Sequence, residues 1–215
     1  MNKQLHLDIS LRDDATFFNY VGSAPELLLK DSDWLFLWGN PGTGKSHLLQ
    51  AICHQTENSI YLESLGQYQP DILGGLEAID VVCIDDIQSV LGNAEWEESL
   101  FHLLNAIRDS HKKLIISADK PAKQLEVKLA DLQSRLISAS AIETDNLDDT
   151  QKLEVLMNRA HGRGYRLAPE VGLFILKRSS RDLRKLMDIL DLIERETLRQ
   201  GKTVSIPFVK QTLKL

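Results

Sequence analysis

A chain of 215 residues is long enough for one large domain, or for a medium domain with a small companion. With 43 % hydrophobic residues it can bury an ordinary core, which argues against a largely disordered chain. The net charge of −6 is unevenly placed: residues 146–215 carry 14 Lys and Arg against 9 Asp and Glu, and residues 1–145 carry 11 against 22, an acidic balance that argues against broad duplex binding.

The first legible element is "QLHLDI" at 4–9, where Leu5, Leu7 and Ile9 alternate with polar residues in the period of an extended strand. Arg12, Asp13 and Asp14 interrupt it before a hairpin can form, so on residues alone it reads as an isolated tail or a disordered start. "WLFLW" at 34–38 is an almost purely apolar run ended by Gly39, as expected of a strand buried on both faces. After a glycine-rich loop, "SHLLQAICHQ" sets Leu48, Leu49, Ile52 and Cys53 on one helical face. Further strands are expected at 59–62, 79–86, 113–119 and 139–143, with a strong amphipathic helix over 95–110. Strands alternating with helices predict an α/β fold, a parallel sheet with helices on both faces.

Near Asn146 the pattern turns helical. Asp148 and Asp149 are candidate caps of a helix that ends on glycines, Pro169 suits a first helical turn, and residues 181–201 read as one long amphipathic helix. A small all-α lid of about four helices is expected, with "TVSI" at 203–206 as its one strand candidate. The division is therefore a tail at 1–12, an α/β nucleotide-binding domain at 13–145 and a helical lid at 146–215. The basic cluster "NRAHGRGYR" at 158–166 reads as a solvated helix end, with contact to a partner or to DNA as the alternative. Cys53 and Cys83 sit in apolar stretches, as buried free thiols in a reducing compartment do. The histidines lack metal-ligand spacing, and neither a signal peptide nor a membrane span is visible, so a cytoplasmic chain without membrane contact is expected.

"GNPGTGKS" at 39–46 satisfies GxxxxGK[ST] between a strand and a helix, the context its mechanism needs. Gly39, Pro41, Gly42, Thr43, Gly44, Lys45, Ser46 and His47 are the nucleotide-binding candidates. Glycines let successive N–H groups curl toward phosphate oxygens, Lys45 reaches the β- and γ-phosphates, and Ser46 offers its hydroxyl to Mg²⁺. "VVCIDD" carries Asp85 to the ligand-binding edge of the sheet, where it is the second Mg²⁺ candidate. Asp86 either orients an attacking water or solvates the strand end. Where many related ATPases place a glutamate it is an aspartate, which lowers the expected rate of hydrolysis. Asp119, ending the apolar run "LIISA", and the arginines Arg135 and Arg184 are weaker candidates, since an arginine in an amphipathic segment ordinarily faces solvent.

"IDDIQSV", "SADKPAKQL", "LQSRL" and "SIPFVKQTLKL", in this order and spacing from about Thr16 onward, resemble the AAA+ core of the DnaA family of bacterial replication initiators. A short member of that family headed by a QLxLxL-like tail resembles its Hda branch, the regulatory inactivators of DnaA. The resemblance implies that Gln4, Leu5, Leu7 and Ile9 dock on the sliding clamp of the replicative polymerase, although the family favours leucine where Ile9 stands. It also implies that Arg135 is an arginine finger, Arg184 a sensor 2 arginine and Asp119 a sensor 1 residue. Asp131 departs from the pattern, standing where DnaA has a second arginine.

The expectation is a negative regulator of replication initiation that holds ADP or ATP with Mg²⁺ and has DnaA and the clamp as partners. Sequence-specific contact with nucleic acid is not expected, and self-association is plausible for an AAA+ chain. One alternative is a self-standing AAA+ ATPase, such as a helicase loader or a DnaA-like accessory factor. Another is a nucleotide-dependent structural module without a catalytic role.

Overall fold

The computed structural model describes residues 11, 15–28, 33–144, 146–180 and 182–215. The tail candidates Gln4, Leu5, Leu7 and Ile9 lie outside these residues. Five strands, β1 (Trp34–Trp38), β2 (Ser59–Leu62), β3 (Val81–Ile84), β4 (Lys113–Ala118) and β5 (Ser140–Glu143), make one parallel sheet in the order β2-β3-β4-β1-β5.

Near-continuous apolar runs follow from burial on both sides of that sheet. Leu35, Leu37, Cys83 and Ile115 face Leu28 of α1 (Ala24–Leu28) and Leu48, Leu49 and Ile52 of α2 (Lys45–Gln55). Their neighbours Phe36, Val82, Ile84, Leu114 and Ile116 face Leu100 and Leu104 of α3 (Ala94–Asp109) and Leu132 and Leu136 of α4 (Ala130–Ser138). Burying each such side chain contributes roughly 1.5–3 kcal/mol. Both cysteines are free and buried, in the layer between sheet and α2.

Four helices follow: α5 (Asp149–Gly162), α6 (Pro169–Arg178), α7 (Leu183–Gln200) and α8 (Ile206–Leu213). They enclose a separate core that includes Leu156, Ile175, Leu186, Leu190, Ile193 and Phe208. Asp148 caps α5 by accepting from Gln151 N at 2.8 Å while the Gln151 side chain reaches back to the Asp148 N–H. Asp149 is the first helical residue rather than the cap. Among the described residues no helix is long and apolar enough to cross a membrane.

The strand expected over 79–86 is shorter, because polar demands end it at both sides. Asp80 pairs with Lys112, and Asp86 turns the chain with φ 51°, a left-handed conformation that aspartate tolerates. "TVSI" is not a strand. Ser205 there caps α8, accepting from Phe208 N at 3.4 Å, and Pro207 follows inside the first turn, so local helix-start chemistry overrides the β-branched pair.

Candidate functional site

The phosphate-loop candidates join the C-terminal end of β1 to the start of α2, beside a cleft of about 980 Å³ between sheet and lid. Gly42, Thr43, Gly44, Lys45, Ser46 and His47 line the cleft, and Pro41 is exposed beside it. Two glycines are required by close approach. A Cβ on Gly44, which caps α2 at φ 89°, would stand 2.7 Å from Cε2 of Tyr20, whose ring covers the loop. A Cβ on Gly39 would meet Oγ1 of Thr144 at 2.1 Å and its carbonyl oxygen at 2.9 Å. That carbonyl cannot yield, since Thr144 N donates to Trp38 O at 2.8 Å and the Thr144 hydroxyl shares a 2.6 Å hydrogen bond with Thr43. Gly39→Ala is therefore expected to cost about 1–3 kcal/mol of unfolding free energy, measured by urea titration.

Lys45 is buried, and its Nζ donates to the carbonyl oxygens of Gly39 at 2.8 Å and Asn40 at 3.2 Å. Burial pulls its pKa below the usual lysine value, and Arg184 acts in the same direction. The negative charges of Asp86, Asp85 and Asp119 oppose the shift. Four residues, from just beyond β3 and β4 and from α7, thus act on the charge of one ammonium, although they are up to 139 positions from it in sequence.

Asp85 is 3 % exposed and well partnered: the Tyr61 hydroxyl donates to one carboxylate oxygen at 2.7 Å and the Ser117 hydroxyl donates to the other. Asp86 N donates to the same Ser117 oxygen at 2.9 Å, and Gln88 Nε2 donates to Asp86 Oδ1 at 3.1 Å. Desolvation, together with the adjacent Asp85 carboxylate, pushes the Tyr61 hydroxyl far above its ordinary pKa, so it remains a donor. Asp119 lies beyond β4, outside the cleft lining, with one oxygen buried and unpartnered among the described residues. Ser46, Asp85 and Asp86 line the same cavity, and their side chains offer an all-oxygen set of the kind Mg²⁺ takes when phosphate oxygens and water complete its shell.

The lid supplies the other wall. Arg184, in the first turn of α7, lines the cleft with Leu183 and Met187. The basic cluster corrects its reading as a solvated end. Arg159 is only 9 % exposed and lines the cleft, and Arg163 pairs with Asp191 at 2.5 Å and Glu194 at 3.4 Å. Arginine stems bury readily when carboxylates across a helix pair meet their heads.

Arg135 is brought elsewhere. On α4 it lines a separate hollow with Phe101, Asp131, Ser134 and Ser138. Sequence reasoning did not single out Tyr20, Tyr61, Ser117, Thr144 or Arg159. A signal existed for Tyr61 and Ser117, since each is a hydroxyl inside an apolar strand run and a buried hydroxyl must find a partner.

Comparisons with known proteins place this geometry. The family described as Hda, lid domain, matches residues 149–213, and that of the bacterial DnaA ATPase domain matches residues 69–143. A protein of Haemophilus influenzae is 41 % identical over 231 aligned residues spanning all of both chains. Domain III of the Thermotoga maritima replication initiation protein DnaA superposes with a TM-score of 0.81 at 24 % identity, covering 96 % of this chain and 98 % of that one. DnaA from Aquifex aeolicus bound to AMPPCP gives a TM-score of 0.69 at 21 % identity over 89 % of this chain and 69 % of that one. The Thermotoga maritima Holliday junction branch migration motor RuvB gives 0.67 at 18 % identity, over 93 % and 71 %. These structural likenesses establish the fold, a parallel sheet followed by a helical lid.

Proposed function

Because the chain belongs to the Hda-like, DnaA-related AAA+ family, we propose that it regulates replication initiation by promoting hydrolysis of ATP held on DnaA. It holds an adenine nucleotide in the cleft between sheet and lid. It docks on the DNA-loaded sliding clamp through Gln4, Leu5, Leu7 and Ile9, an extended peptide offering an amide and apolar side chains to a groove. It then presents Arg135 to the phosphates of ATP on the partner.

One observation carries this reading above the others: Arg135 stands on α4 in a hollow of its own, apart from the cleft that contains Lys45. An arginine set away from its own chain's phosphate loop is suited to a nucleotide held by a neighbour. Its guanidinium meets negative charge that develops on the phosphate oxygens only in the transition state, so it speeds the step without tightening the ground state.

In the chain's own cleft, the loop N–H groups and the N-terminal end of α2 cradle phosphate, with Lys45 and Arg184 adding charge from sheet and lid. Ser46 and Asp85 would hold Mg²⁺, which when bound neutralises phosphate charge. Tyr61 and Ser117 orient Asp85, and Asp86 orients water. Nucleotide touching both walls would set the angle of the lid, through Arg184, and so the face offered to the partner.

The test is single-turnover hydrolysis of DnaA-bound ATP with clamp loaded on DNA, comparing this protein with the Gln4→Ala/Leu5→Ala variant. Stimulation by the intact chain alone is expected. Equal stimulation by both would remove the clamp from the account, and stimulation by neither would end it. The second reading, a self-standing ATPase, is favoured by Asp85, Asp86 and Arg184 lining one cleft with Lys45. Appreciable turnover by this chain alone would bring it forward.

A further inference from the structure

We propose that Glu97 positions the finger: it is the N-terminal cap of α4, the helix that carries Arg135, although it belongs to α3. The inference rests on the reading of Arg135 given above.

Glu97 is 1 % exposed, and a carboxylate buried so deeply needs donors on both oxygens. It has them from two segments. Oε1 accepts from Gly92 N at 2.7 Å and Lys128 N at 3.1 Å, and Oε2 accepts from Lys128 N at 3.0 Å and Leu129 N at 2.7 Å. Local sequence sets this up. Asn93 caps α3 through Glu95 N and Trp96 N, which places Glu97 on the inner side of the first turn, and Gly92 at φ 86° folds its own N–H back onto the carboxylate. Burial alone would raise the Glu97 pKa, but the three N–H donors outweigh it and hold the group below the usual glutamate value.

α4 needs such a cap. Its N-cap residue is Leu129, extended and with an apolar side chain that cannot accept a hydrogen bond, and Glu97 takes the Leu129 N–H, one of the four N–H groups the helix cannot satisfy itself. The Glu97 charge therefore lies where the positive end of α4 gathers. Leu132 and Leu136 pack one side of α4 into the core beneath α3, which fixes the helix laterally. Its tilt and its placement along its own axis depend on the end contacts. Arg135 lies six residues past Leu129, about 9 Å along the helix. A finger tolerates little error, since a shift of about 1 Å at a reacting centre can cost roughly 100-fold in rate.

The test uses the full chain with ADP bound and two variants, Glu97→Gln, which keeps the volume but puts an NH2 group against N–H donors, and Glu97→Asp, which keeps charge at shorter reach. Amide exchange over 128–136 is expected to speed in Glu97→Gln and less in Glu97→Asp, with ADP affinity unchanged in both. Stimulated hydrolysis of DnaA-bound ATP is expected to fall about 10- to 100-fold in Glu97→Gln. The Arg135→Ala/Glu97→Gln double variant should then be no slower than Arg135→Ala alone, because one residue acts through the other. Unchanged exchange at 128–136 overturns the cap. Additive losses in the double variant overturn action through Arg135. If Arg135→Ala by itself leaves the rate untouched, the finger reading has failed and the positioning role falls with it, an outcome separable from the first because exchange reads the cap without DnaA.

Discussion

Arg135→Ala is expected to reduce stimulated hydrolysis of DnaA-bound ATP by about 10³-fold or more, the range over which fingers supplied in trans act. Its own fold should hardly respond. Arg135 is half-buried on a short helix whose packing comes from Leu132 and Leu136, and its side chain lines an open hollow rather than a core. Because that hollow is apart from the cleft around Lys45, the affinity of this chain for nucleotide should stay within about twofold of the wild type, as expected for distant sites. Single-turnover hydrolysis on the partner and fluorescent-nucleotide titration of this chain measure the two quantities separately. Loss of both would mean that the variant has unfolded; loss of neither would remove the arginine from the mechanism.

Lys45→Ala is expected to weaken nucleotide binding roughly 10- to 100-fold, the worth of one charge-assisted contact to phosphate in a partly enclosed site. The effect on folding should be small and of mixed sign. The carbonyl oxygens of Gly39 and Asn40 lose a donor, while a cation whose burial already lowers its pKa no longer has to be desolvated. Isothermal titration with ADP and with ATP, with and without Mg²⁺, measures the loss. An undiminished affinity would show that phosphate does not meet this lysine. If, in addition, Lys45→Ala lost its stimulation of DnaA at saturating nucleotide, the lysine would act through the angle of the lid rather than through occupancy.

The parts of this molecule that were legible in the sequence share a cause. β1, the glycine loop and α2 could be read because phosphate binding ties residue type to spacing within eight consecutive positions. The apolar strands were legible because a sheet buried on both faces leaves little choice of side chain, and the cap Asp148 is local chemistry that spacing reveals, whereas Ser205 falls in a segment that reads as a strand. What stayed hidden depends on tertiary pairing. Arg159 and Arg163 lie in a run that looks solvated until α7 brings Asp191 and Glu194 across. Thr144 has no local reason to matter until β5 is laid beside β1 and its hydroxyl meets Thr43. Likewise, Glu97 is one acidic residue among three in the first turns of α3, and only the approach of residues 128 and 129 distinguishes it.

The strand order also governs when the phosphate loop can exist during synthesis. β1 lies between β4 and β5, and its loop is braced by Thr144, so a segment made early waits for neighbours translated about 75 to 110 residues later. Until residue 144 has left the ribosome, Gly39 lacks its contact with Thr144 and α2 has at most a partial sheet beneath it. Nascent chains cut short before β5 should therefore fail to hold nucleotide, however complete their glycine motif. Capture of nucleotide by a nascent chain would then report the moment at which the sheet closes.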